Sequence, residues 1–117
     1  MRTTDISVRH ETWLWLAQRA SALMLAGFVA VHLATIIVAA RGGLSATEIL
    51  GRTRASVGWL LFYGGFVVAV AIHAPIGLRS ILREMTAWRG RSLDVAAALF
   101  AVLLVALGWR AIAGLFR

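Results

Sequence analysis

The chain has 117 residues, of which 61% are hydrophobic, and its mean hydropathy is +0.84. Soluble domains are typically about 45–50% apolar, so this composition indicates an integral membrane protein. The absence of cysteine excludes disulfides, iron–sulfur ligation, thiolate zinc sites and covalent haem attachment through this chain. The net charge of +7 comes from arginines at the ends of apolar stretches, where they suit lipid headgroups and membrane topology better than nucleic acid.

Three apolar stretches follow one another along the chain. Residues 1–11 are polar and are predicted to form a short interfacial arm. The first apolar stretch covers about residues 13–40, the second 57–79 and the third 93–115, and about 20 residues suffice to cross a bilayer as a helix. Between the first two, Ser45-Ala46-Thr47-Glu48 has the pattern of a capping box, which predicts a short surface helix.

Lipid restricts the fold that these stretches can adopt, because only helices and closed barrels satisfy every backbone polar group in a bilayer. We therefore predict an all-α integral membrane protein, with one domain of three transmembrane helices over residues 1–117. Three helices make a poor pore on their own, and they carry polar residues that lipid would not tolerate. The domain is accordingly expected to be part of a multi-subunit helical bundle.

Arginine counts predict the orientation. The N-terminal arm and the link between the second and third spans together hold more arginines than the opposite side of the membrane. Since cytoplasmic loops carry the excess of basic residues, the N-terminus is predicted to be cytoplasmic. The arginines on the predicted cytoplasmic side are Arg2, Arg9, Arg79, Arg83, Arg89 and Arg91, and those opposite are Arg41, Arg52, Arg54 and Arg117.

His73 lies inside the second apolar stretch, where a polar ring needs an explanation. Neutral imidazole is a standard axial ligand of haem iron. Gly65, Ala69 and Gly77 share its helical face at four-residue intervals, which leaves a flat space for a macrocycle or for a closely packed helix. Two interpretations stay open: a haem ligand, or a histidine hydrogen-bonded to a neighbouring helix.

His32 presents the same choice in the first span, at a different depth. At about 1.5 Å per residue, His32 and His73 lie on opposite sides of the membrane centre and differ by about 16 Å along its normal. The two axial ligands of one haem must lie at the same depth, so these histidines should not share an iron. If either is a ligand, its counterpart comes from another chain.

Several further polar residues are candidates for binding. Gln18, Arg19 and Ser21 lie one to two turns inside the first span and could donate to a quinone carbonyl, although a lone arginine there commonly reaches lipid headgroups. Arg79 and Arg83 follow His73 and could pair with haem propionates or with lipid phosphates. The third span is assigned no chemistry.

Three short segments resemble the cytochrome b membrane-anchor subunits of succinate dehydrogenase and fumarate reductase. Gln18-Arg19-Ala20-Ser21 resembles the Arg-x-Ser segment of that family, near its quinone pocket. Residues 73–79, HAPIGLR, resemble the family's His-x-x-x-Gly-hydrophobic-Arg around the second-helix haem ligand. His32, followed by residues 39–42, resembles the first-helix ligand region of the two-haem members. Some single-haem members place a polar residue four positions before the motif arginine, where this chain has Trp15.

The resemblance implies a subunit outside the catalytic core of an oxidoreductase, anchoring a flavoprotein and an iron–sulfur subunit at the inner (cytoplasmic) membrane. A second three-helix anchor would supply the other axial histidine or histidines. Haem b would be held by His73, with a second haem if His32 is also a ligand, and quinone would bind near Arg19 and Ser21. Two alternatives remain: a haem-free structural anchor, and a cytochrome b subunit of another membrane dehydrogenase.

Overall fold

The computed structural model describes residues 3–117, and in that part of the chain it is entirely helical, without strands. Its elements are α1 (Thr3–Arg41), α2 (Ala46–Thr53), α3 (Val57–Met85) and α4 (Arg91–Phe116). Helices α1, α3 and α4 are each long and apolar enough to cross a membrane. The predicted all-α architecture with three membrane-spanning helices is thereby confirmed.

Helix α1 begins earlier than its apolar stretch. The predicted arm is helical from Thr3 onward, while residues 1 and 2 lie outside the described part. Residues 3–12 contain neither glycine nor proline, so nothing ends a helix that continues outward from the membrane. The 39 residues of α1 would measure about 58 Å at about 1.5 Å per residue, matching the longest dimension of 58 Å.

Helix α3 lies in the middle of the molecule, with α1 packed against one side and α4 against the other. Glycines permit the close approaches. A Cβ atom at Gly108 in α4 would lie 2.5 Å from a methyl carbon of Val67 in α3. At the α1–α3 interface, a Cβ atom at Gly65 would lie 3.0 Å from the ring of Phe28. Small residues at contact points are the usual basis of helix packing in membranes.

Few side chains are enclosed within this chain alone. Among the described residues, the buried apolar side chains are Ala69, Pro75, Leu93 and Ile112. Large apolar side chains lie open, such as Leu23 at 78% exposure and Leu61 at 70%. Such a surface would be an aggregation liability in water, whereas in a bilayer it is covered by lipid or by helices of other chains.

The predicted capping box is present at the start of α2. The backbone N–H of Ser45 donates to Glu48 Oε2 at 2.7 Å, and Ser45 Oγ accepts from the Glu48 N–H at 3.3 Å. The Ser45 backbone N–H is the main reason why the pKa of Glu48 lies below its ordinary value. The prediction of a short surface helix between the first two spans is therefore confirmed.

Candidate functional site

The α1–α3 interface brings Ser21 and His73 together. Ser21 Oγ lies 3.3 Å from His73 Nδ1, and the Ser21 side chain is only 4% exposed. The same hydroxyl lies 3.1 Å from the backbone carbonyl of Gln18, one turn earlier in α1. Two residues that the sequence assigned to different sites, one for quinone and one for haem, therefore contact each other.

The second ring nitrogen of His73 remains available. Nε2 makes no hydrogen bond within the described part of the chain, and it is not among the buried polar atoms that lack a partner. The ring is half-buried, and its Nε2 is not fully enclosed by the described part of the chain. This arrangement suits an axial ligand, whose other nitrogen is commonly held by a hydrogen bond.

The described residues 3–117 do not form a self-contained metal site. Among these residues there is no group of three His, Cys, Asp or Glu side chains that could hold a metal ion. Since His32 is expected at a different depth, a second histidine for an iron at His73 would have to come from another chain.

Helix α1 fills part of the space beside His73 that its small neighbours leave. The Gly65 position is covered by Phe28, and a Cβ atom at Gly77 would lie 3.1 Å from Gln18 Nε2. The sequence allowed either a macrocycle or a closely packed helix beside these small residues, and at Gly65 and Gly77 the neighbour is helix α1. A macrocycle would have to approach His73 from the side on which Nε2 is open.

His32 lies at the other end of the α1–α3 interface. It follows Ser21 by eleven residues in α1, which is about 16 Å at about 1.5 Å per residue. Its ring meets Tyr63 and Phe66 edge-on, with centroid distances of 5.9 Å in both cases. Nδ1 of His32 is buried and has no hydrogen-bond partner in the described part of the chain. The two histidines thus lie at different depths and in different surroundings.

The three predicted quinone residues lie on two faces of α1. Ser21 and Gln18 face α3, and Gln18 Oε1 is buried without a partner among the described residues. Arg19 is exposed, with its guanidinium carbon 5.5 Å from the ring centroid of Trp15. The structure therefore joins Ser21 and Gln18 to the surroundings of His73 and leaves Arg19 open to lipid or to another chain.

Arg79 and Arg83 have carboxylate partners within the chain. Arg79 Nη2 lies 3.0 Å from Glu11 Oε1, and Arg79 Nε lies 2.7 Å from Asp94 Oδ1. Arg83 Nη1 lies 2.9 Å from Glu11 Oε2. The hydrogen bond from Arg79 is the main cause that holds the pKa of Glu11 below its ordinary value. These ion pairs link α1, α3 and α4 at one end of the molecule.

Sequence reasoning missed this network, since it assigned no chemistry to Asp94 and considered haem propionates or lipid phosphates as partners of both arginines. The available signal was the position of the few acidic residues: four of the 5, Asp5, Glu11, Glu84 and Asp94, lie on the side that carries Arg79 and Arg83.

Comparison with known proteins extends this picture to the whole chain. The family profile described as the succinate dehydrogenase/fumarate reductase transmembrane subunit matches residues 2–115. No curated protein and no solved structure gives a significant match. The matched region includes the third helix, α4, as well as the segments of α1 and α3 that carry the sequence motifs.

Proposed function

Since the chain belongs to the family of succinate dehydrogenase/fumarate reductase transmembrane subunits, we propose that it binds haem b and quinone within that complex. In this role it passes electrons between the iron–sulfur subunit and membrane quinone. Its partners are that iron–sulfur subunit, the flavoprotein subunit and a second membrane anchor. The complex is anchored at the inner membrane with the N-terminus of this chain in the cytoplasm.

The observation that carries the haem proposal is the state of His73. Its Nδ1 is within hydrogen-bond distance of Ser21, while Nε2 is open inside an apolar span. A bound haem supplies a one-electron redox centre. The chain contributes the axial nitrogen and holds the orientation of the ring between two packed helices. The small residues around the ring keep the site apolar, and both ligation and burial tune the potential of a haem.

His32 is the candidate for a second haem, at the opposite end of the interface. The depth difference of about 16 Å from His73 means that it would serve a different iron. The surroundings of His32 favour haem ligation less than those of His73 do. Its Nδ1 is buried without a partner among the described residues, whereas a ligating histidine commonly donates a hydrogen bond from its other ring nitrogen. A hydrogen bond from a partner subunit cannot reach this buried atom without a change in packing.

Quinone is proposed to bind beside Arg19 on the exposed face of α1. The guanidinium of Arg19 donates readily to a carbonyl oxygen, and the neighbouring Trp15 offers an aromatic surface. Gln18 and Ser21 were expected to be further donors, but they face α3. Arg83, which is 38% exposed, is freer to meet a haem propionate or a lipid phosphate than Arg79, which is 12% exposed.

An optical difference spectrum of the purified complex tests the haem proposal. We expect b-type absorption bands, and haem counted per complex should fall by one in His73→Ala. His32→Ala serves as the matched variant, because it removes the same side chain at another depth. Its own loss of one haem would indicate the two-haem form. A complex without b-type bands would contradict haem binding and leave a haem-free structural anchor.

A further inference from the structure

We propose that Ser21 positions His73 for iron binding by accepting a hydrogen bond from Nδ1–H, instead of donating to quinone. The proposal rests on the proposed function, since it requires that His73 holds a haem. It concerns the orientation and tautomer of the ring, so Ser21 is a positioning residue that acts through His73.

The two contacts of the Ser21 hydroxyl allow a run of two hydrogen bonds, from His73 Nδ1–H to Ser21 Oγ and from the Ser21 hydroxyl to the Gln18 carbonyl. A serine hydroxyl has one proton to donate and lone pairs to accept. Its own proton has an acceptor in the Gln18 carbonyl at 3.1 Å, so the oxygen can accept from His73 Nδ1–H at 3.3 Å. With the proton held on Nδ1, the lone pair of the neutral ring is on Nε2, the open nitrogen that an iron requires.

The same geometry argues against Ser21 as a quinone donor. A quinone carbonyl only accepts hydrogen bonds, and the single proton of Ser21 already has an acceptor within the helix, the Gln18 carbonyl at 3.1 Å. The side chain is 4% exposed and faces α3, whereas the exposed Arg19 lies on another face of α1. Quinone cannot reach the hydroxyl without separating α1 from α3.

His32 provides an internal comparison, because it also lies at the α1–α3 interface but its ring has no hydroxyl partner among the described residues. Its Nδ1 is buried and lacks a hydrogen bond in the described part of the chain. Thr35, the nearest hydroxyl in its helix, donates to the backbone carbonyl of His32 at 2.7 Å and not to the ring. The two histidines therefore differ at Nδ1, which has a hydroxyl partner in His73 and none among the described residues in His32.

The test compares Ser21→Ala with Ser7→Ala in the purified complex. Ser7 is a matched control, since its hydroxyl also donates to a carbonyl three residues earlier in α1, at 2.9 Å, but lies far from His73. Haem retention, the electron paramagnetic resonance signal of the ferric haem, its midpoint potential and the KM for quinone are measured in each variant.

Ser21→Ala should weaken haem retention by about 10-fold or more, since partners of ligating histidines commonly contribute a factor of 10–100 to metal affinity. The midpoint potential of the remaining haem should rise, because a ring whose Nδ1–H has no acceptor donates less electron density to iron. The resonance signal should shift and the KM for quinone should stay unchanged. Ser7→Ala should behave as the wild type in every measurement.

The outcomes separate this inference from the proposed function. Normal haem properties in Ser21→Ala, with a raised KM for quinone, would overturn the inference and leave the haem proposal intact. A wild-type complex without haem would overturn both. If Ser21→Ala does not assemble, Ser21→Cys decides: it is close in size but a weak acceptor, so it should shift the resonance signal and potential in the same direction. Unchanged values there would also overturn the inference.

Discussion

At the scale of single residues, Gly108 sets the distance between α3 and α4. A Cβ atom there would lie 2.5 Å from Val67 Cγ1 and 2.7 Å from Cγ2, so Gly108→Ala must push the two helices apart. We expect a loss of about 1–3 kcal/mol, the usual cost of overpacking a close contact. Reversible unfolding in mixed micelles, followed by circular dichroism, measures the change.

The same contact supplies its own controls. Nothing lies within 4 Å of a Cβ atom at Gly64, so Gly64→Ala should be neutral or slightly stabilising. Removing the two methyl groups that Gly108 faces, in the pair Gly108→Ala and Val67→Ala, should restore part of the lost stability. Strictly additive effects of the two substitutions would show that this contact does not limit the approach of the helices.

At the scale of elements, the capping box determines how firmly α2 is formed. Ser45→Ala removes the side chain that accepts from the Glu48 N–H, so α2 should fray from its N-terminus. Amide hydrogen exchange should become faster over Ala46–Thr53 and stay unchanged in α3. Ser7→Ala, which removes a hydroxyl outside any cap, should leave exchange in α2 as it is.

The box should also respond to acid. The pKa of Glu48 is lowered in the folded helix, so its carboxylate contributes stability that is complete above the ordinary value of 4.5. That contribution is lost as the pH falls through the lowered value. The protection of α2 amides, measured as exchange relative to the intrinsic rate at each pH, should therefore fall on acidification below 4.5, and Glu48→Gln should remove this dependence. An acid response that persists in Glu48→Gln would assign it to another group.

The elements also show what can be read from the sequence and what cannot. Apolar length fixes that three helices cross the membrane, and Ser45 with Glu48 predicts α2, because both signals are local. The start of α1 at Thr3 was missed because polarity keeps a segment out of lipid without ending a helix. Similarly, the spacing within each span gives the faces of Ser21 and His73, but which residues meet depends on how α1 and α3 cross.

At the scale of the whole molecule, one ion-pair network fastens the three long helices together. Arg79 bridges Glu11 of α1 and Asp94 of α4, and Arg83 also pairs with Glu11. Arg79→Ala leaves Asp94 without its partner and breaks the connection between α1 and α4. It should lower the thermal midpoint more than Arg83→Ala, the matched removal of an arginine that holds a single partner. Equal effects would mean that the bridging position of Arg79 contributes nothing.

The path of the chain through the membrane is testable because the protein contains no cysteine. Single cysteines in place of Ser7, Thr47 and Ala87, all exposed, mark the projecting end of α1, helix α2 and the α3–α4 link. A membrane-impermeant maleimide should label Ser7→Cys and Ala87→Cys from the cytoplasmic side, and Thr47→Cys only from the opposite side. None of these substitutions alters the arginine asymmetry on which the predicted orientation depends.

Leu23→Cys completes the labelling series, because Leu23 is 78% exposed on the chain and yet lies in the middle of α1. It should stay unlabelled from both sides, since lipid or a partner helix covers it. Labelling of Ser7→Cys and Thr47→Cys from the same side would contradict the crossing of α1. If every cysteine is labelled from the side opposite to the one expected, the three-helix path is preserved but the predicted orientation is wrong. The His73 end of the α1–α3 interface would then lie away from the cytoplasm.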